Sequence, residues 1–224
     1  MRLPARHDVR PRALLALAVL LLASCQTAYY ATMEKLGYPK RDLLVSRVQQ
    51  ARDSQQEAKE QFQSALEHFS AVVHFRGGEL EAKYTQLSAE LDRSEARAHT
   101  VHQRIAAVEE VAEALFKEWE AELAQYTQET LRRASARQLA QTRQRYTPLM
   151  RTMKRAEAKM EPVLAAFRDQ VLFLKHNLNA RAIASLRQEG MAVETDITAL
   201  IRAMEAAIAE ADAFIKALDQ GQGS

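Results

Sequence analysis

Four long stretches of this chain carry apolar residues that step alternately by four and by three, and this pattern restricts the fold more than any other feature. In the first, Leu44, Val48, Ala51, Gln55, Ala58, Phe62, Ala65, Phe69 and Val72 keep the alternation with one polar member. The second runs through Leu80, Tyr84, Leu87, Leu91, Ser94, Ala98, Val101, Ile105, Val108, Ala112, Leu115 and Trp119, then skips to Leu123 and Tyr126. The third is Leu139, Thr142, Tyr146, Leu149, Met153, Ala156, Met160, Val163, Phe167, Val171 and Leu174. The fourth is Leu186, Gly190, Val193, Ile197, Leu200, Met204, Ile208, Ala211, Ile215 and Leu218. A 3.5-residue repeat holds one face of a helix against a partner helix. Further apolar residues beside the seams (Leu66, Val73, Phe116, Leu164, Leu172, Phe173, Ile201, Phe214) widen the stripe beyond a two-stranded coil. The pattern predicts an all-α fold, an elongated antiparallel bundle of about four long helices with heptad packing. Only 6 Gly and 5 Pro interrupt 224 residues, as long helices require.

The turns follow from the breaks in the pattern. Gly77-Gly78 supplies the first, Thr127 to Ser135 the second, and His176-Asn177-Leu178-Asn179 the third. Pro148 and Pro162 fall inside the third helix and predict a kink there, or a helix in two pieces. Folding back at Gly77-Gly78 sets Val72 near Leu80, Phe62 near Leu91 and Leu44 near Val108. Gln55 and Ser94 then fall in adjacent small layers beside Ala58 and Ala98, a weak polar layer suited to fixing register.

The first 24 residues have a different character. Arg2, Arg6, Arg10 and Arg12 precede an unbroken apolar run, Ala13 to Leu22, which as a helix spans only about 15 Å. That is half a bilayer, the signature of an export signal and not of a transmembrane span. Leu22-Ala23-Ser24-Cys25 follows, with the only cysteine of the chain, and resembles the lipobox of bacterial lipoproteins. The resemblance implies a diacylglyceryl group on Cys25, cleavage before it, and usually acylation (palmitate) of the new amine; several acyl chains anchor stably. With Gln26 and not Asp after the cysteine, the resemblance implies, as in enteric-type bacteria, sorting to the outer membrane, and the expected location is its periplasmic face. The expected organisation is a signal peptide at 1–24, a lipid-anchored lead and linker at 25–39, the bundle at 40–219 and a flexible tail at 220–224.

Charge excludes a globally basic nucleic-acid binder. Without the four arginines and one aspartate of the signal, 27 basic and 28 acidic residues remain. One stretch is locally basic: Leu131 to Lys159 holds nine basic residues against Glu157 alone. Arg132, Arg133 and Arg137 are candidate contacts for an anionic partner. Acidic stretches before it (Glu109 to Glu129) and in the fourth helix (Glu194 to Asp219) would lie alongside in an up-down bundle and answer most of that charge. The same order puts the lipid anchor, the second turn and the C-terminus at one end, so that Arg132 and Arg133 face the membrane surface.

Catalytic patterns are absent from the sequence. Gly77-Gly78 lacks the Lys and Ser or Thr of a phosphate loop, and neither a His-Glu-x-x-His nor a di-iron Glu-x-x-His occurs. His99 and His102 lie off the seam as surface residues, and Trp119 lies on it as core. No enzyme activity, cofactor or metal is expected.

Three stretches, Ala28 to Asp42 (AYYATMEKLGYPKRD), Phe75-Arg76-Gly77-Gly78 and Phe167 to Leu186 (FRDQVLFLKHNLNARAIASL), resemble an uncharacterised bacterial family, domain of unknown function 2959. Its members are predicted helical lipoproteins, and the resemblance implies no catalytic residue, cofactor or substrate. The expectation is a membrane-tethered helical scaffold or adaptor of the cell envelope, with the membrane (through Cys25) and an envelope protein as partners and no nucleic acid. The alternative is a binding module for an anionic envelope component or lipid, using the basic third helix.

Overall fold

The computed structural model describes residues 40–74 and 80–220, apart from the side chains of residues 180–182 and 189. The chain divides into two compact units, Met1–Leu43 and Leu44–Ser224. Of the first, only the opening turn of a helix is among the described residues. The signal, Cys25, the lead to Pro39, the Gly77-Gly78 turn and residues 221–224 lie outside them. Four helices follow in order: α1 (Lys40–Val73), α2 (Leu80–Leu123), α3 (Glu129–His176) and α4 (Ala180–Gln220). No strand occurs among the described residues, and no helix there is long and apolar enough to cross a membrane.

The seams are the core. Every member of the first stretch is buried, Gln55 included, and every member of the third except half-buried Tyr146. Polar contacts then give the register. Between α1 and α2, Gln50 pairs with Arg104, Glu57 with Arg97 and Ser64 with Glu90. Each pair is seven residues further along one helix and seven back along the other, so the helices run antiparallel with one contact per heptad. The expected neighbours Phe62 with Leu91 and Leu44 with Val108 fall within one and two residues of this register. Between α1 and α4, Arg52 meets Asp212 and Lys59 meets Glu205 with the same seven-residue step. Glu95–Arg168 and Glu120–Arg143 join α2 to α3. Arg145 donates to the Ala217 carbonyl, joining α3 to α4. Phe69 and Phe167 cross the centre from α1 to α3, edge to face with centroids 6.0 Å apart. The topology is up-down-up-down.

Four expectations need correction. The second break is at residues 124–128, not 127–135, so Arg132 and Arg133 belong to the first turn of α3. Neither Gly nor Pro marks that break, and Arg132 N–H already donates to the Gln128 carbonyl. Second, of the two outcomes expected at Pro148 and Pro162, a kink or a helix in two pieces, the second does not occur: α3 is one helix through both. Third, Leu172 (54% exposed) and Phe173 (41%) do not widen the core stripe; they stand on the outside of the last turns of α3. Fourth, Ala207 and not Ile208 is the fully buried member of that layer in α4. The third turn falls at 177–179, inside the stretch expected.

The core ends before α2 and α3 do. From Lys117 to Gln138 no residue is buried, although α2 continues to Leu123 and α3 starts at Glu129. The two helices therefore extend past α1 and α4 as a spur. Its base is Phe116, Tyr146 and Phe214, with ring centroids 5.3 and 6.5 Å apart. Across it, Trp119 Nε1 donates to Ser135 Oγ at 2.8 Å. Trp119, expected in the core, is half-buried.

Candidate functional site

The nine basic residues of α3 separate into two groups once their neighbours are known. Four are ion-paired. Arg132 and Arg133 share the Glu129 carboxylate at 2.5 and 2.7 Å. Arg143 pairs with Glu120 at 2.5 Å and lies 5.0 Å over the Phe116 ring. Lys154 pairs with Glu109. Hydrogen bonding from Arg143 holds Glu120 below the ordinary carboxylate range, and hydrogen bonding to Glu109 raises Lys154. The other group has no carboxylate among the described residues. Arg145 donates to a carbonyl only, while Arg137, Arg151, Arg155 and Lys159 are exposed and make no ion pair there. Arg151, Arg155 and Lys159 are four residues apart and Arg137 is two heptads earlier, so all four share the outward face of α3. The stripe is about 33 Å long at 1.5 Å per residue.

The expected neutralisation by flanking acids is therefore only partial. Acids of α2 answer two of the nine, and Glu129 of α3 itself answers two more. Among the described residues the acids of α4 answer none of the nine: Asp212 and Glu205 pair with Arg52 and Lys59, and Glu194 accepts from Ser70, all on α1. A heptad pattern places a charged residue beside the seam but does not say which neighbouring helix it leans toward.

Beside the stripe, Glu95, Ala98, His99, His102, Glu157, Met160 and Arg168 line an open groove of about 460 Å³ between α2 and α3. His102 Nδ1 faces Glu157 at 2.5 Å, and His99 Nε2 faces the Gln103 amide at 3.0 Å. Among the described residues no three His, Cys, Asp or Glu side chains gather as a metal set.

Sequence reasoning missed one buried charge. Glu90 is 2% exposed and accepts from Gln61 Nε2 (2.6 Å), Ser64 Oγ (3.2 Å) and Arg93 (2.6 Å), with His68 Nδ1 at 3.3 Å. Burial raises its pKa, but the hydrogen bonds from Arg93 and Gln61 outweigh burial and hold the carboxyl below its usual value. The predicted pairing of Phe62 with Leu91 already set Gln61 and Ser64 beside Glu90, and could have found it. The group fastens α1 to α2.

No curated protein and no solved structure gave a significant match. Residues 29–218 match a family model described as Protein of unknown function (DUF2959), and a match over most of its length shows that the chain belongs to this family.

Proposed function

We propose that this chain is a membrane-tethered, non-enzymatic helical scaffold or adaptor of the bacterial cell envelope. Cys25 is its lipid-bearing residue, and the periplasmic face of the outer membrane is its location. One observation carries the non-enzymatic part. The seams of all four helices are filled mainly by apolar side chains, with Gln55, Ser94 and Thr142 as buried polar members, and the groove described lies open on the outside. A reaction centre needs convergent polar groups in an enclosed pocket. A bundle packed through its centre has its outer surface to offer to partners. The ordered basic, apolar and Leu-Ala-Ser-Cys segments of the first 25 residues support the tether.

Cross-linking in living cells tests this reading, with Cys25→Ala as the unanchored control. The expected result is labelled palmitate on the parent protein only, and one dominant envelope protein retrieved by the lipidated form. Palmitate on neither form would remove the tether, and capture of the same partner by both forms would remove the need for it.

The unpaired stripe on α3 favours a second reading, a binding module for an anionic envelope component or lipid. Changing Arg137, Arg151, Arg155 and Lys159 together to Gln should then abolish salt-sensitive retention on an anionic polymer. Retention unchanged by those substitutions would end that reading.

A further inference from the structure

The spur ends in an apolar tip. Tyr126 is 41% exposed in the α2–α3 turn and Leu131 is 51% exposed in the first turn of α3. Arg132, Arg133 and Arg137 follow within two turns, and residues 124–138 hold a single carboxylate, Glu129. Because Arg132 and Arg133 share that one group, each keeps donors for another acceptor. The spur stands at the end of the bundle where the chain enters at Leu44, since α1 begins there and α2 runs on beyond it. Cys25 lies 19 residues before Leu44 in the sequence.

We propose that this tip docks on the anionic lipid surface to which the chain is tethered. Tyr126 and Leu131 enter the headgroup layer, and Arg132, Arg133 and Arg137 engage lipid phosphates. The inference rests on reading Cys25 as the lipid anchor. The 15 residues from Cys25 to Lys40 span at most about 50 Å fully extended, which keeps the spur's end of the bundle within reach of the surface. Tyrosine favours the membrane interface, where its ring meets the acyl boundary and its hydroxyl meets water. Arginines beside it add attraction to anionic lipid. A second copy of the chain fits less well, because two side chains supply far less than the roughly 800 Å² per partner of a stable interface. The docked tip would hold the bundle upright on its anchor.

The test uses the full chain with Cys25→Ala and Leu131→Cys, labelled at the introduced thiol with an environment-sensitive fluorophore. A second protein carries Leu178→Cys instead, at the opposite end of the bundle. Both are mixed with vesicles of phosphatidylglycerol and phosphatidylethanolamine. At position 131 the emission should shift to the blue and rise about twofold or more, as for a side chain entering the interface. Spin-labelled lipid should quench it, and about 1 M salt should suppress it, where screening acts within ~3 Å. Position 178 should not respond. An equal response at both positions, or none at 131, overturns the proposal. So does a response at 131 that follows protein concentration without lipid, which would identify a second copy as the occupant. Palmitate incorporation by the parent chain is scored separately. A silent label at 131 in a protein that takes up palmitate removes the tip alone, whereas a responding label without palmitate removes the tether and supports the tip.

Discussion

The ring of Phe69 occupies the space that a side chain at Gly190 would need. A Cβ built on Gly190 would stand 2.9 Å from Phe69 Cε1 and 3.0 Å from Cζ. Phe69 is fully buried and already edge-on to Phe167, so its ring has little room to withdraw. Alanine would raise the helix propensity of α4 by about 1 kcal/mol. Overpacking a filled core costs about 1–3 kcal/mol. Gly190→Ala should therefore lower stability by about 1 kcal/mol, measured by urea unfolding. In a Phe69→Leu background the same change should become neutral or favourable. Equal effects in both backgrounds would show that the contact is not what keeps glycine there.

Gln55 is fully buried, and neither its amide nitrogen nor its oxygen has a hydrogen-bond partner among the described residues. Ser94, its fellow polar seam residue, donates instead to the Glu90 carbonyl of its own helix at 2.8 Å. An unpaired buried amide costs about 1–3 kcal/mol. Gln55→Leu should raise the stability by about 1 kcal/mol, seen as a higher thermal midpoint. A lower midpoint would show that the amide finds partners in solution.

Glu90 makes the α1–α2 pairing sensitive to acid. Its folded pKa lies below the ordinary 4.5, so its contribution is complete above that value and is lost as pH falls through the folded value. Other carboxylates add to acid unfolding, so the slope is the useful readout. Between pH 4.5 and the acid transition, stability should fall less steeply in Glu90→Gln than in the parent. Glu90→Ala should cost about 2 kcal/mol at neutral pH by leaving Gln61 and Ser64 without their acceptor. Parallel slopes would mean that the carboxyl titrates as if exposed.

The spur should open before the bundle does. It buries no residue between Lys117 and Gln138, and local opening free energy follows buried apolar contact. Trp119 is the only tryptophan, so its fluorescence reports on this region alone. On heating, its emission should change at a lower temperature than the helical circular dichroism, and amides in 117–138 should exchange fastest within the helices. Coincident transitions would place the spur in the same cooperative unit as the core. Ser135→Ala, which removes the acceptor of the indole N–H, should widen the gap between the two transitions.

Much of this architecture was legible because burial and periodicity are the same fact seen twice. Leu44 to Val72 could be assigned residue by residue, and the hairpin register followed from the Gly77-Gly78 fold-back. The pattern failed where the physical cause changed. Leu123 and Tyr126 continue the spacing of α2 but have neither α1 nor α4 to pack against beyond the spur's base, so periodicity there no longer means core. Leu172 and Phe173 sit on the outward side of α3, where adjacency to seam residues does not bring burial. The basic face of α3 was visible as composition, but the leaning of Glu205 and Asp212 toward α1 was not. Glu90 was hidden for a simpler reason, since a carboxylate next to a seam is usually in water.

The pairing of α1 with α4 has a topological consequence. Stepping eight residues back from Arg52 reaches Leu44, and stepping eight forward from Asp212 reaches Gln220, so the first and last residues of the bundle lie side by side. A short polar linker joining them would close the bundle into a ring, which could be reopened at the exposed turn 177–179. In such a circular permutant the same four helices would have both chain ends at the end of the bundle opposite the spur.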